Sequence, residues 1–451
     1  MTKLRSLAPW AIAVLASLGG CSGEKARAQE GAPQAAEPTE APATGIAVAT
    51  RKGPAAPAPA PAQDLPKPKP IEPFVEKAIG WLVDAQHEDG GWGAGSHASQ
   101  QQRDARKVKT DPATTAFSAL ALMRVGNTPV KGVHKEAVLR ATKYLLGVVA
   151  AASTEGPKIT DLQGTQPQAK MGMFVDTSMT AQFLARVLTA LPEKHELRAR
   201  VDRALDKCLR KLEGSQQKDG SWQGGGSWAP VLQSSLNCTA FELAYAAGKQ
   251  IDMEKLALAR NYQQRNVDGD GRARADKAAG VELYALASGS RGMAGQSRAA
   301  DEIVARGKLE GKLSEDADVS QETLQDLGVD APKAAELAVA YRKVRTSLAR
   351  FDSEEVLKGF GSNGGEEYLS YMMNSEALVI VGGEEWDKWR DKMHARLKKV
   401  QTKDGSWTGH HCITSPVFCT AAVIQCLTAD YDAPILLAIS AKDEAGATKQ
   451  K

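Results

Sequence analysis

The 451-residue chain is poor in several things, and each shortage excludes a class of protein. There are six cysteines, far too few for a disulfide-built scaffold, so packing must hold the fold together. Aromatic residues make up 5%, which leaves few to wall a large apolar cavity. No excess of one charge is present: 57 basic side chains face 54 acidic ones, which excludes a broad basic surface for nucleic acid. Nowhere do eighteen apolar residues run together, so no helix long enough to span a bilayer is encoded. What the chain does have is length, enough for a single large core or two ordinary ones.

Lys3 and Arg5 precede an apolar stretch from Leu7 to Leu18, the pattern of a signal-peptide core. It ends in Leu18-Gly19-Gly20-Cys21, which resembles a bacterial lipobox. That resemblance implies removal of residues 1–20, lipidation of Cys21 and a lipid bilayer as partner. Ser22, in place of an acidic residue, implies an outer-membrane protein facing the periplasm. Residues 31–73 hold 11 of the 21 prolines, interleaved with alanine, and cannot bury enough surface to fold. Residues 21–73 therefore read as a tether with a reach of about 100 Å.

One phrase then occurs three times, each time closing a helical pattern: Gln86 to Trp92, Gln216 to Trp222 and Gln401 to Trp407 all read Q-x-x-D-G-x-W. Before the first copy, Phe74, Ala78, Trp81 and Ala85 recur at helical spacing, with Glu76, Lys77 and Asp84 on other faces. After each copy comes a segment that is small or apolar nearly all round, around Thr115-Ala116, Thr239-Ala240 and Thr420-Ala421. A fourth such segment surrounds Thr180-Ala181. Amphipathic helices alternating with uniformly apolar ones predict an outer and an inner ring of helical hairpins.

Lys77, Ala78, Trp81 and Leu82, followed by Gln86 and Gly90-Gly91-Trp92, resemble the QW repeat of the squalene-cyclase and protein-prenyltransferase superfamily. The resemblance implies an all-α fold, an α/α toroid over residues 74–432, with residues 433–451 as a C-terminal tail. It also implies that Gln86, Trp92, Gln216, Trp222, Gln401 and Trp407 tie neighbouring hairpins together and do not contact substrate.

Squalene-type cyclases protonate a polyene with an aspartate of a D-x-D-D-T-A motif at an inner-helix start. Asp111 and Asp176 match the first aspartate of that motif, four residues before Thr115 and Thr180, but the other two aspartates are replaced by Ala113 and Thr114, and by Ser178 and Met179. The remaining repeats carry Asn237 and Cys238, or Phe418 and Cys419, so the protonating acid is absent from all four. Asp111 and Asp176 stay as weak catalytic candidates. Glu376, expected within an inner helix facing the cavity, is a third, whereas Glu366 and Glu367 read as first-turn carboxylates. Prenyltransferase β subunits bind zinc near the position matched by Cys419. His410, His411 and Cys412 follow the third repeat, and with Cys419 they form a candidate transition-metal set, zinc being the metal. Cys238 with Cys412 is the one disulfide pairing that merits testing. Asn266 to Gly271 imitates the start of a calcium loop, but Lys277 stands where a glutamate is required, so an Asp-Gly turn is the better reading. The charged stretch from Arg291 to Ser320 has weak periodicity and reads as helix and loop inserted between hairpins.

Two classes of function fit this pattern. One is a toroid that binds a hydrophobic or extended ligand, or a protein partner, without transforming it. The other is an enzyme, either a terpenoid-type cyclase or transferase with relocated acids or a metal-dependent one. The loss of the acid motif favours the first.

Overall fold

The computed structural model describes residues 67–447, except 224–227, 275 and 277, with side chains described through residue 440. The expectations placed on residues 1–66, lipidation of Cys21 among them, lie outside the described residues. Among the described residues there is no β-strand, only the isolated bridges Ser96–Thr165 and Val267–Ala273, and no single helix is long and apolar enough to cross a membrane.

Outer and inner helices alternate along the chain. The outer ones are α1 (Pro73–Asp84), α3 (Lys135–Ala151), α5 (Arg198–Ser215), α7 (Met253–Gln264), α9 (Ala331–Arg350) and α11 (Glu385–Lys399). The inner ones are α2 (Pro112–Arg124), α4 (Val175–Ala190), α6 (Pro230–Ala246), α8 (Glu282–Leu309), α10 (Gly365–Val381) and α12 (Pro416–Leu427). Each inner helix packs on the next, and α12 packs back on α2, so the ring closes into an α/α toroid. Composition sorts the two rings. All thirteen residues of α2 are buried, whereas α5 buries one stripe, including Val201, Leu205, Cys208, Leu209 and Leu212, and leaves most of its charges outside it.

The repeated phrase closes three of the six hairpins, those that begin with α1, α5 and α11, by the same set of bonds. The Trp92, Trp222 and Trp407 indoles donate to the Leu82, Leu212 and Leu397 carbonyls at 2.8, 2.9 and 2.8 Å, satisfying the orphan C-terminus of each outer helix. Their backbone N–H groups donate to a hydroxyl of the following inner helix: Thr115, Ser234 and Thr420. The glutamines reach outward. Gln86 Nε2 donates to the Ala137 carbonyl of α3 at 2.9 Å, Gln216 Nε2 to Lys255 of α7 at 2.8 Å, and Gln401 Nε2 to Phe74 of α1 at 2.8 Å. The last of these joins the final hairpin to the first, with Lys77 Nζ donating to the Lys403 carbonyl and Trp81 Nε1 to Asp404 beside it. Between glutamine and tryptophan, Gly220 has φ +86°, and a Cβ there would lie 2.0 Å from the Leu258 carbonyl oxygen. Glycine is thus needed both for the turn and for the approach of the next outer helix.

Two expectations are corrected here. The charged stretch from Arg291 to Ser320 is helix and then loop, as expected, but it does not begin as an insertion: Arg291 lies within the inner helix α8, which continues to Leu309 and packs its second half with Gln321–Asp326 and α9 around Ala300, Val304, Leu324 and Leu337. The supposed tail from residue 433 is helical, as α13 (Ala433–Ala447), and packs against α6, α8 and α10. The charge and length of these segments concealed an apolar side that forms only when partner helices are present.

Gln401→Ala removes the bond that joins the last hairpin to the first. It should cost about 1–3 kcal/mol in urea unfolding, the expense of an unsatisfied buried partner, while leaving helical circular dichroism unchanged.

Candidate functional site

The outer-to-inner connections gather at the N-terminal ends of the inner helices to form a loop face. Asp111 and Asp176 lie on this face, completely buried, and act as clamps. Asp111 accepts from Thr114 N at 2.7 Å and Ala94 N at 2.8 Å, and Asp176 accepts from Ala113 N at 3.1 Å and Gln168 Nε2 at 2.6 Å. Burial, and after it the charge of Asp176, raises Asp111 to about 7; burial raises Asp176 to about 6. Every one of their carboxylate oxygens accepts a hydrogen bond.

A second acidic pair opens α10. Glu367 Oε1 accepts from the Tyr284 hydroxyl at 2.6 Å and from Phe360 N at 2.9 Å, while Glu366 Oε2 accepts from Ile413 N at 3.2 Å. Burial, and next the adjacent Glu367, pushes Glu366 up to about 8, so that it is protonated at neutral pH.

The expected metal set is not assembled. His410 is exposed, the His411 ring packs edge-on against Phe360 with Nε2 3.6 Å from Glu367 Oε2, and Cys419 Sγ donates to the Ile413 carbonyl. Cys412, at φ +56°, is turned toward Glu366, and burial raises its thiol to about 12. Among the described residues no group of three His, Cys, Asp or Glu side chains is placed to hold a metal. Cys238 and Cys412 are both thiols, with no disulfide between them.

The interior of the toroid is the other place where chemistry could occur, and it is nearly filled. A cavity of about 30 Å³ remains among Phe117, Leu120, Leu236, Met372 and Met373 of the inner helices and Ile435, Leu436 and Ile439 of α13. That is room for about one water, against the roughly 300–1,000 Å³ of small-molecule sites. Its polar wall is an ion network. Arg124 pairs with Glu376 at 2.5 Å and with Asp432 at 2.8 Å, Arg186 pairs with Asp432 at 2.8 Å, and Arg291 bridges Glu376 at 2.9 Å and Glu242 at 3.3 Å. Burial alone would raise Glu376 and Asp432, but the arginines outweigh it and hold both carboxyls below their ordinary range. Glu376 does face the interior, yet as an ionised anchor and not as an acid.

With this geometry in place, the resemblances take on a definite extent. Residues 64–156, covering α1 to α3, match the family model of the squalene-hopene cyclase C-terminal domain. No curated protein matches the chain. Among solved structures, the type II terpene cyclase MstE from Scytonema in its apo form is similar with TM-score 0.43 and 14% identity, over 80% of this chain and 98% of that one. A variant of that enzyme in complex with the product merosterolic acid A gives TM-score 0.42 and 14% identity, over 80% and 96%.

The sequence reading missed Arg124, Arg186, Glu242, Arg291 and Asp432. The available signal was a charge inside an otherwise apolar inner helix, as with Glu242 four residues after Cys238, because such a charge must find a partner.

Glu376→Gln leaves Arg124 and Arg291 short of a buried counter-charge and should destabilise the fold by about 3–5 kcal/mol in urea titration. Glu366 has the opposite sign. Its folded-state value lies above its unfolded one, so wild type and Glu366→Gln should match near pH 4. As pH rises to 8, unfolded Glu366 ionises while the folded group stays protonated, and the variant should become progressively the more stable in thermal melts.

Proposed function

We propose that the protein is a lipid-anchored, extracytoplasmic toroid with a terpene-cyclase-like fold, whose role is to bind a ligand on its loop face and not to cyclise or transfer a terpenoid in its interior. The observation that carries this reading is the interior itself. A polyprenyl chain needs an apolar chamber, and the space is taken by α13 with about 30 Å³ left over. Acid-initiated cyclisation also needs a protonated carboxyl in contact with the substrate, whereas the cavity's two carboxylates, Glu376 and Asp432, are held ionised by arginines. Asp111 and Asp176 do not line the cavity. The anchor is supported by the run from Leu7 to Cys21 and by the proline-rich stretch that follows it.

Two measurements test the two halves of this reading. Purified protein incubated with squalene or with a geranylgeranyl substrate should yield no cyclic product by mass spectrometry. Turnover that disappears in Asp111→Ala or Asp176→Ala would contradict the proposal. In cells fed an alkyne-labelled fatty acid, the wild type should take up label and fractionate with membranes, whereas Cys21→Ala should do neither.

A further inference from the structure

The loop face carries a cleft of about 320 Å³, ten times the volume of the interior cavity and within the range of small-molecule sites. It lies between two segments, 95–109 and 162–165. These are fastened to each other by His97 N donating to the Gly164 carbonyl at 2.8 Å and Gln166 N donating to the Gly95 carbonyl at 3.0 Å. The first segment is stiffened by two short turns. Ser96 caps one by accepting from Ala98 N, and Asp104 caps the other by accepting from Arg106 N. Gly93 holds the segment closed on itself, since a Cβ there would sit 1.9 Å from the Lys109 carbonyl oxygen. The cleft is therefore part of the frame.

Its lining has one charge sign. Lys107 and Lys109 contribute to the wall and no carboxylate does; Ser99, Gln102 and Gln163 add hydroxyl and amide groups, and Val108 with Leu162 gives a small apolar surface. Asp104 lies outside the lining and pairs with Lys107 at 3.3 Å, so Lys109 is the cation with fewer commitments. Behind the cleft, the fully buried Gln166 spends its amide oxygen on Thr414 N and Ser415 N at 2.6 and 3.0 Å. Its amide nitrogen has no partner and lies 4.0 Å from the Cβ position of Gly95, which does line the cleft. A cation, a cluster of hydroxyl and amide groups and a short apolar strip are what an anionic sugar presents in complement: a charged group, hydroxyls and a C–H ring face.

We propose that this cleft binds an acidic saccharide, with the carboxylate at Lys109, the hydroxyls at Ser99, Gln102 and Gln163, and the ring face over Val108. This names the ligand class of the loop-face binding proposed above and rests on that reading, but it fails separately. A cyclic terpenoid product would overturn the interior argument and leave the cleft untouched.

The test is calorimetric titration of the full mature chain with digalacturonate and with its dimethyl ester, which keeps the shape and removes the charge. Saturable binding of digalacturonate is expected, at least tenfold weaker for the ester. Lys109→Glu should weaken digalacturonate at least tenfold, and Val108→Trp, which fills the cleft, should abolish binding. Both variants alter half-buried or exposed side chains and should melt with the wild type. Absence of saturable binding, equal affinity for the ester, or full affinity in a Lys109→Glu protein of wild-type melting temperature would each overturn the assignment.

Discussion

The hydrogen bonds by which a glutamine and a tryptophan close three of the six hairpins are the constraint on which the rest of the molecule depends. An outer helix ends with carbonyls that have no partner of their own, and the Trp92, Trp222 and Trp407 indoles take one in each repeat. The glutamine of the same turn then reaches a carbonyl in the first turn of the next outer helix, which fixes the angle between successive hairpins. Because Gln401 does this to Phe74, the series ends where it began. A ring closed this way has no terminal repeat with an exposed apolar side, the usual weakness of an open array.

Closure creates an interior that must be filled or must bind something. Here the chain fills it with its own C-terminal helix and with charges that neutralise one another. Arg124, Glu376, Arg291 and Asp432 come from three inner helices and the turn just before α13, so the network joins remote parts of the chain around one point. Such a network is a poor source of net stability and a good source of uniqueness, since any shift in the register of one helix strands a buried charge. The same arrangement holds the two carboxylates that line the cavity, Glu376 and Asp432, in their ionised form. The cleft of the loop face, between 95–109 and 162–165, is open by contrast.

The fold was legible because its rule is local. Q-x-x-D-G-x-W writes a helix end, a turn and a buried indole into seven residues, and three copies in matching contexts define the hairpin. Inner and outer helices were distinguishable because all of α2 is buried whereas α5 keeps a polar side. What failed was whatever depended on partners far away in sequence. Arg291 looked like the start of a charged insertion because Glu376 and Glu242 are 85 and 49 residues away. Residues from 433 looked like a tail because α13 has no strong amphipathic pattern and is packed against helices remote in sequence, α6, α8 and α10 among them. His410, His411 and Cys412 looked like ligands by type, but adjacency in sequence sent their side chains in different directions.

The central claim is that the interior is permanently occupied. Amide hydrogen exchange over residues 433–440 tests it most directly, because a plug that leaves exposes its backbone and a core element does not. The account predicts protection equal to that of α2 and α10, with exchange only through global unfolding. Rapid exchange of this segment while α2 and α10 stay protected would mean that the chamber opens in the native state, and would contradict the account.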